Sequence, residues 1–401
     1  MRLECRAGRA TGVSSLSDGS AQESETSRSP AFSRASDTLP TLLLLGRTLN
    51  DRSVATAREA TAPVNWPLLV VLASHHLVTP ALAPRLAEAV GAPLDCELQQ
   101  YFGVLRALNR ERNQRIRIQL RDLVAALNTA GIVPILLKGT AHLTLGLYED
   151  DADRVIGDID LLVAEEERAA ALALLGELGY SSYDDDVDHA HMHHYAPVMR
   201  EDSEAWVELH KLASPYRRAL PTPVLIQRAR RVSSEIGAVA VPSPDDLLVH
   251  NIVHSQRHKR GFWSAEFSLR DAFDLVLLTR HFRDELDWSR LSLRIAADVG
   301  RHSAGFYVRR AHRLFGEAPP PLPWPVGARF ADWRWGLHAQ GKIIGLQRAT
   351  RVIAHELQAL WQVAGTPAAR RLLDPRWYGR HLRRLRGATG GWRPRDRLDF
   401  G

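Results

Sequence analysis

Two aspartates separated by one residue stand in the run Gly157-Asp158-Ile159-Asp160-Leu161-Leu162-Val163. On a β-strand, residues two apart project to the same face. Asp158 and Asp160 would then lie side by side, while Ile159, Leu161 and Val163 turn into a core. Adjacent carboxylates repel, and each raises the other's pKa unless a cation sits between them. A divalent ion with a taste for hard oxygen ligands, Mg2+ or Mn2+ rather than zinc, is the usual answer. The alternative is a pair of surface acids at a strand end.

Two flanking features sharpen the metal reading. Upstream lies Leu136-Leu137-Lys138-Gly139-Thr140, read as a strand ending in a Lys-Gly turn that opens a helix. A helix start offers unpaired backbone N–H groups and a positive dipole end, both suited to phosphate. Lys138 could neutralise phosphate as a point charge, or pair with Asp158 or Asp160. Arg154 is either an exposed loop arginine or a phosphate clamp. Downstream, Ala205-Trp206-Val207-Glu208-Leu209-His210 reads as a strand with Val207 and Leu209 on one face and Glu208 and His210 on the other. If the sheet sets this strand beside that of Asp158, three carboxylates converge, a set able to hold two metal ions. Otherwise Glu208 is a solvent-facing acid. His210 could hydrogen-bond behind the ligands.

The elements that must position these residues follow from periodicity. Residues 1–37 are Ser-, Ala- and Arg-rich with few large apolar side chains, and are expected to be disordered. Residues 38–130 read as a helical segment, whose longest pattern, Leu98 to Ala130, has a polar middle at Asn109 to Arg115 and a stop at Gly131. Residues 131–243 read strand–helix–strand–helix–hairpin, a small mixed α/β unit. Residues 244–316 are helical again, residues 317–326 are a Pro-rich linker, and residues 327–401 are helices with an Arg-rich tail. The fold class is α/β plus α: a small mixed β-sheet core flanked by N-terminal and C-terminal helical segments.

The Lys138-Gly139 turn, the Arg154-to-Val163 run and Val207-Glu208-Leu209-His210 together resemble the nucleotidyltransferase-like family of the DNA polymerase β superfold, in particular its uncharacterised bacterial branch. The resemblance covers about Ala130 to Leu212 and extends weakly to about Arg280. It implies a nucleotidyltransferase core and the Mg2+-dependent (or Mn2+-dependent) transfer of a nucleoside monophosphate from an NTP to an acceptor hydroxyl, with release of pyrophosphate. By that analogy Asp158 and Asp160 bind the metal and Glu208 is the third carboxylate. Lys138, Gly139, Thr140 and Arg154 would face the nucleotide. Thr140 stands where the family carries Ser or Gly, and Glu208 replaces a more common aspartate. The resemblance does not name the acceptor, which could be a small molecule, a protein or a nucleic-acid end. A non-catalytic nucleotide-binding or antitoxin-like module on the same fold is the second reading.

Other features carry less. His189, His191, His193 and His194 follow Asp184, Asp185, Asp186 and Asp188; the spacing fits no standard zinc motif, and a histidine facing the nucleotide is preferred. The net charge of +6 is concentrated in the tail, where ten arginines face three aspartates between Arg370 and Gly401. The body is near neutral, so a basic nucleic-acid-binding face is not expected there. A weaker third reading has the tail hold a polyanion for a nucleic-acid-modifying transferase. No apolar run approaches the roughly 20 residues of a membrane helix. The two cysteines, Cys5 and Cys96, are not expected to form a structural disulfide, and a reducing, cytoplasmic compartment is the default.

Overall fold

A computed structural model describes residues 37–50, 64–182, 192–232, 234–258, 261–264 and 266–340. The expectations for the N-terminal tail up to residue 36, for His189 and His191, and for the Arg-rich tail lie outside the described residues.

Helix α1 (Thr38–Leu49) is followed by α2 (Trp66–His75) and two short helices, α3 (Thr79–Leu82) and α4 (Leu86–Val90). The long helix α5 (Cys96–Thr129) starts where the Asp95 carboxylate accepts from the Leu98 N–H at 2.8 Å, a side-chain cap. It ends before Gly131, whose φ of 78° is the left-handed geometry glycine supplies cheaply. Phe102, Ile116, Leu120, Leu123, Val124 and Leu127 form its buried face. The expectation for the two cysteines involves Cys5, which lies outside the described residues.

The sheet is built from β1 (Ile135–Leu136), β2 (Asp158–Leu162), β3 (Ser181–Ser182), β4 (Val198–Met199), β5 (Trp206–His210), β6 (Arg230–Val232) and β7 (Val239–Val241). Its order is β3-β4-β5-β2-β1-β7-β6. Helix α6 (Lys138–Thr144) joins β1 to β2, and α7 (Arg168–Glu177) follows β2. β1 runs antiparallel to β2 and parallel to β7, while β2 and β5 are parallel. The sheet is therefore mixed, as the α/β plus α reading requires. It is also wider than the sequence suggested, because the β6–β7 hairpin adds two strands of three residues each. Runs that short carry almost no period-two signal.

After α8 (Thr222–Arg228), helices α9 (Pro244–Val253), α10 (Gly261–Ser264), α11 (Leu269–His281), α12 (Trp288–Asp298), α13 (Arg301–Leu314) and α14 (Val326–Ala339) complete the described chain. A π-helical turn, His254–His258, extends α9. Buried apolar residues from Leu42 on α1 to Ala339 on α14 belong to one contiguous core. The proline run packs on this core too: Trp324 lies against it, and the Arg309 guanidinium sits 3.7 Å above the Trp324 ring. No helix among the described residues is long and apolar enough to cross a membrane.

Candidate active site

The β2–β5 register decides what meets what. Asp158 stands opposite Trp206, Asp160 opposite Glu208, and Leu162 opposite His210. Alternation sends Ile159, Leu161, Val207 and Leu209 into the core, where each is essentially inaccessible. The other face gathers Asp160, Glu208 and His210, whose ligand atoms lie within 4.8 Å of one another. The sequence reading had Asp158, Asp160 and Glu208 converge if the two strands were neighbours; the strands are neighbours, but the group they bring together is Asp160, Glu208 and His210, without Asp158. Asp158 sits one pleat further along and is less buried than Asp160.

Lys138 closes the group from above. The Leu137 N–H donates to the Asp160 carbonyl at 3.1 Å, which carries the β1–β2 pairing up to the start of α6. Lys138 then takes a φ of 48°, a left-handed conformation rare for a residue with a Cβ and held only where its surroundings enforce it. Its Nζ lies 2.7 Å from Asp160 Oδ1 and 3.6 Å from Glu208 Oε2. From the other side, His210 Nε2 lies 2.8 Å from the same Asp160 oxygen and 3.6 Å from Glu208 Oε2. His210 Nδ1 lies 3.3 Å from the Leu212 carbonyl. Both ring nitrogens thus face oxygens that can only accept, which is the pattern of an imidazolium donating twice.

The electrostatics agree. Burial alone would lower His210, but the hydrogen bond it donates to Asp160 and the nearby Glu208 carboxylate outweigh burial and raise its pKa. Burial alone would likewise lower Lys138, yet Asp160, Glu208 and Asp158 raise it above the usual lysine range. Asp160 is fully buried, which opposes ionisation, but Lys138 and His210 hold it well below the ordinary carboxylate range. Asp158 is pushed up to about 6, first by burial and then by the negative charge of Asp160. Lys138 and His210 face Asp160 and Glu208, and the Arg270 guanidinium acts on Asp158.

One stranded atom fits a divalent cation. Asp160 Oδ2 is buried and accepts no hydrogen bond among the described residues, an expensive state for a carboxylate oxygen. The donor set is rich in hard oxygens, as Mg2+ or Mn2+ requires. Asp158, Asp160 and Glu208 could hold it, with His210 orienting Asp160 from behind.

The proposed phosphate contacts divide. Lys138 is in the site and its side chain is 21% exposed. Gly139 is the second residue of α6, and a Cβ there would come within 2.9 Å of Arg154 Nη1, so glycine is needed for the helix start to rest on that guanidinium. Thr140 is fully buried, and its hydroxyl donates to the Leu137 carbonyl at 2.8 Å, closing the first helical turn instead of facing outward. Arg154 departs furthest from expectation. It is buried, with Nε and Nη2 donating to the two oxygens of Asp274 at 3.0 and 2.8 Å and Nη1 to the Val155 carbonyl at 2.9 Å. Its donors are spent inside the protein, so it supports Gly139 and does not clamp a ligand. Tyr148 donates to Asp274 at 2.5 Å, completing a buried cluster.

The histidine-rich stretch does reach the site. His193 and His194 pack on the His210 ring, with centroids 5.3 and 5.7 Å away. His194 Nδ1 lies 2.7 Å from the Tyr195 carbonyl. Two neighbours had no signal in the sequence. Arg270 on α11 lies near enough to Asp158 to pull its pKa down, and donates to the Val155 carbonyl at 3.4 Å. His250 on α9 is buried, and burial, then the positive charges of Lys138 and His210, push it down to about 3.

A protein-family model described as an uncharacterised nucleotidyltransferase matches residues 62–316. No curated protein and no solved structure matches the chain.

Two outcomes follow from this geometry. Asp274→Ala strands the buried Arg154 charge and lowers stability by about 3–5 kcal/mol, read as a fall in the urea midpoint; Arg154→Met/Asp274→Leu recovers much of that loss. His250 is neutral when folded and takes up a proton below its ordinary value of 6.5 when unfolded. Its contribution is complete above pH 6.5 and is lost as pH falls toward about 3, amounting to about 2 kcal/mol at pH 5. Between pH 7 and 5, His250→Asn therefore loses less stability than wild type by that amount. Asp158 titrates with the opposite sign in both proteins, so the difference isolates His250.

Proposed function

The chain belongs to the nucleotidyltransferase family whose model it matches, and on that premise we propose that it is a Mg2+- or Mn2+-dependent enzyme. It moves a nucleoside monophosphate from an NTP to an acceptor hydroxyl. The observation that carries this reading is the parallel β2–β5 register that sets Asp160 beside Glu208. The acceptor oxygen bonds to the α-phosphorus, the α–β bridging bond breaks in line, pyrophosphate leaves with the electron pair, and the hydroxyl proton passes to solvent.

Asp158, Asp160 and Glu208 hold the cation, which when bound supplies charge neutralisation at the triphosphate. The chain's own residues do the positioning on which phosphoryl chemistry depends. His210 fixes the Asp160 carboxylate in its ionised form. Lys138 presents a positive charge at the partly exposed edge of the group. Gly139 keeps the start of α6 clear of side chain, Thr140 locks that turn, and Arg154 supports it from below. Trp206 and Asp158 stand at the end of the β2–β5 pair away from the buried His210.

The test is incubation of wild type and Asp158→Ala/Asp160→Ala with Mg2+ and each α-labelled NTP, scoring label transfer and pyrophosphate release. The enzyme reading expects turnover by wild type and a loss of at least about 10^2-fold in the double variant. Label transfer that survives in the double variant contradicts the assigned residues. Thermal stabilisation by Mg2+ and NTP without pyrophosphate release points to the non-catalytic nucleotide-binding module instead.

A further inference from the structure

We propose that the Lys138 ammonium is a built-in counter-ion that occupies the Asp160–Glu208 pair in the resting protein and must withdraw before a divalent cation binds there, so that Lys138 sets the cation affinity of the site. The inference rests on the metal-dependent reading above and adds a competitor drawn from the chain itself.

Position is the first argument. Lys138 Nζ is 2.7 Å from Asp160 Oδ1 and 3.6 Å from Glu208 Oε2, and these two residues supply the oxygens of the one group of converging ligand atoms among the described residues. A cation bridging that pair and an ammonium bridging the same pair claim the same space and the same negative charge. The second argument is which cation can leave. His210, the other counter-charge, is fully buried and held at both ring nitrogens. Lys138 is 21% exposed at its side chain and carries a flexible four-carbon stem. It can swing outward while His210 stays.

A protein whose binding-competent form is a minor fraction binds with an affinity reduced by that fraction. Removing the lysine charge removes the competition. Withdrawal also leaves the ammonium beside the site with no carboxylate partner there, where the polyphosphate of an NTP would take it up. Cation entry and phosphate binding then favour each other, because each stabilises the swung-out lysine.

The experiment is Mn2+ binding, without nucleotide, to wild type, Lys138→Met, Lys138→Arg and Lys138→Met/Asp160→Asn, together with melts in the presence and absence of Mn2+. Lys138→Met should bind Mn2+ at least about tenfold tighter than wild type, with a lower Tm than wild type in chelator that Mn2+ restores. Lys138→Arg, which keeps the charge, should bind no tighter than wild type. Lys138→Met that binds as wild type does, more weakly or not at all overturns the competition. Binding by Lys138→Met that Asp160→Asn does not reduce places the ion elsewhere and overturns the metal assignment itself. A second measurement needs no variant: acylation of lysines in wild type, read by mass spectrometry. Mn2+ should speed labelling at Lys138 and leave Lys211 unchanged, whereas an unchanged Lys138 rate overturns the proposal.

Discussion

A carboxylate with no exposure to water, Asp160, sits in the middle of a sheet beside a second one, Glu208. Burying such a charge is tolerable only when it is paired and hydrogen-bonded, and the surrounding structure answers that demand from two directions. Lys138 comes from the strand-to-helix junction on one side of β2, and His210 comes from β5 on the other. Each cation is raised in pKa by the acids it serves, and Asp160 is lowered in return. Among the described residues the arrangement leaves one Asp160 oxygen without a hydrogen bond, and one acid, Asp158, elevated by burial and then by Asp160. A protein that needed only stability would do better with apolar residues of similar volume. The stranded Asp160 oxygen suits the metal-dependent reading proposed above.

Much of the rest of the chain serves to hold the strand that carries these acids. The polar middle of α5 makes sense in this light. Asn113 Nδ2 donates to the Asp151 and Arg154 carbonyls at 2.6 and 2.8 Å, and Asn109 Nδ2 to the Ala152 carbonyl at 2.8 Å. Arg106, Arg110 and Arg117 from the same helix pair with Asp150, Asp151 and Asp153. The acidic loop that enters β2 is thereby strapped to a long helix. At its end, Arg154 ties the loop to Asp274 on α11 and props Gly139 at the start of α6. One buried arginine thus couples the C-terminal helices to both ends of the site.

The parts of this design that depend on local periodicity were readable beforehand. Period two put Glu208 and His210 on one face, as found, and the Gly131 and Lys138-Gly139 signals marked where α5 ends and α6 begins; the group formed around Asp160 takes in His210 and leaves out Asp158. The mixed-sheet core with flanking helices followed from the order of those patterns, and the family match over residues 62–316 agrees with the resemblance they suggested. What periodicity could not supply was long-range pairing. Arg154 looks like a loop arginine until Asp274, 120 positions away, is brought against it. The Thr140 hydroxyl serves its own helix turn, a local bond that competes with any outward role. His250 and Arg270 lie on helices distant in sequence and become neighbours of the site only through tertiary packing.

The central claim is that the acids on β2 and β5 exist to hold a divalent cation. The most direct measurement is anomalous diffraction from crystals of the protein grown with Mn2+ and a non-hydrolysable NTP. The account predicts a manganese peak bonded to oxygens of Asp160 and Glu208, with Lys138 turned away from both and toward the triphosphate. A peak located elsewhere, or none, with the Lys138 ammonium still seated on Asp160, would contradict it.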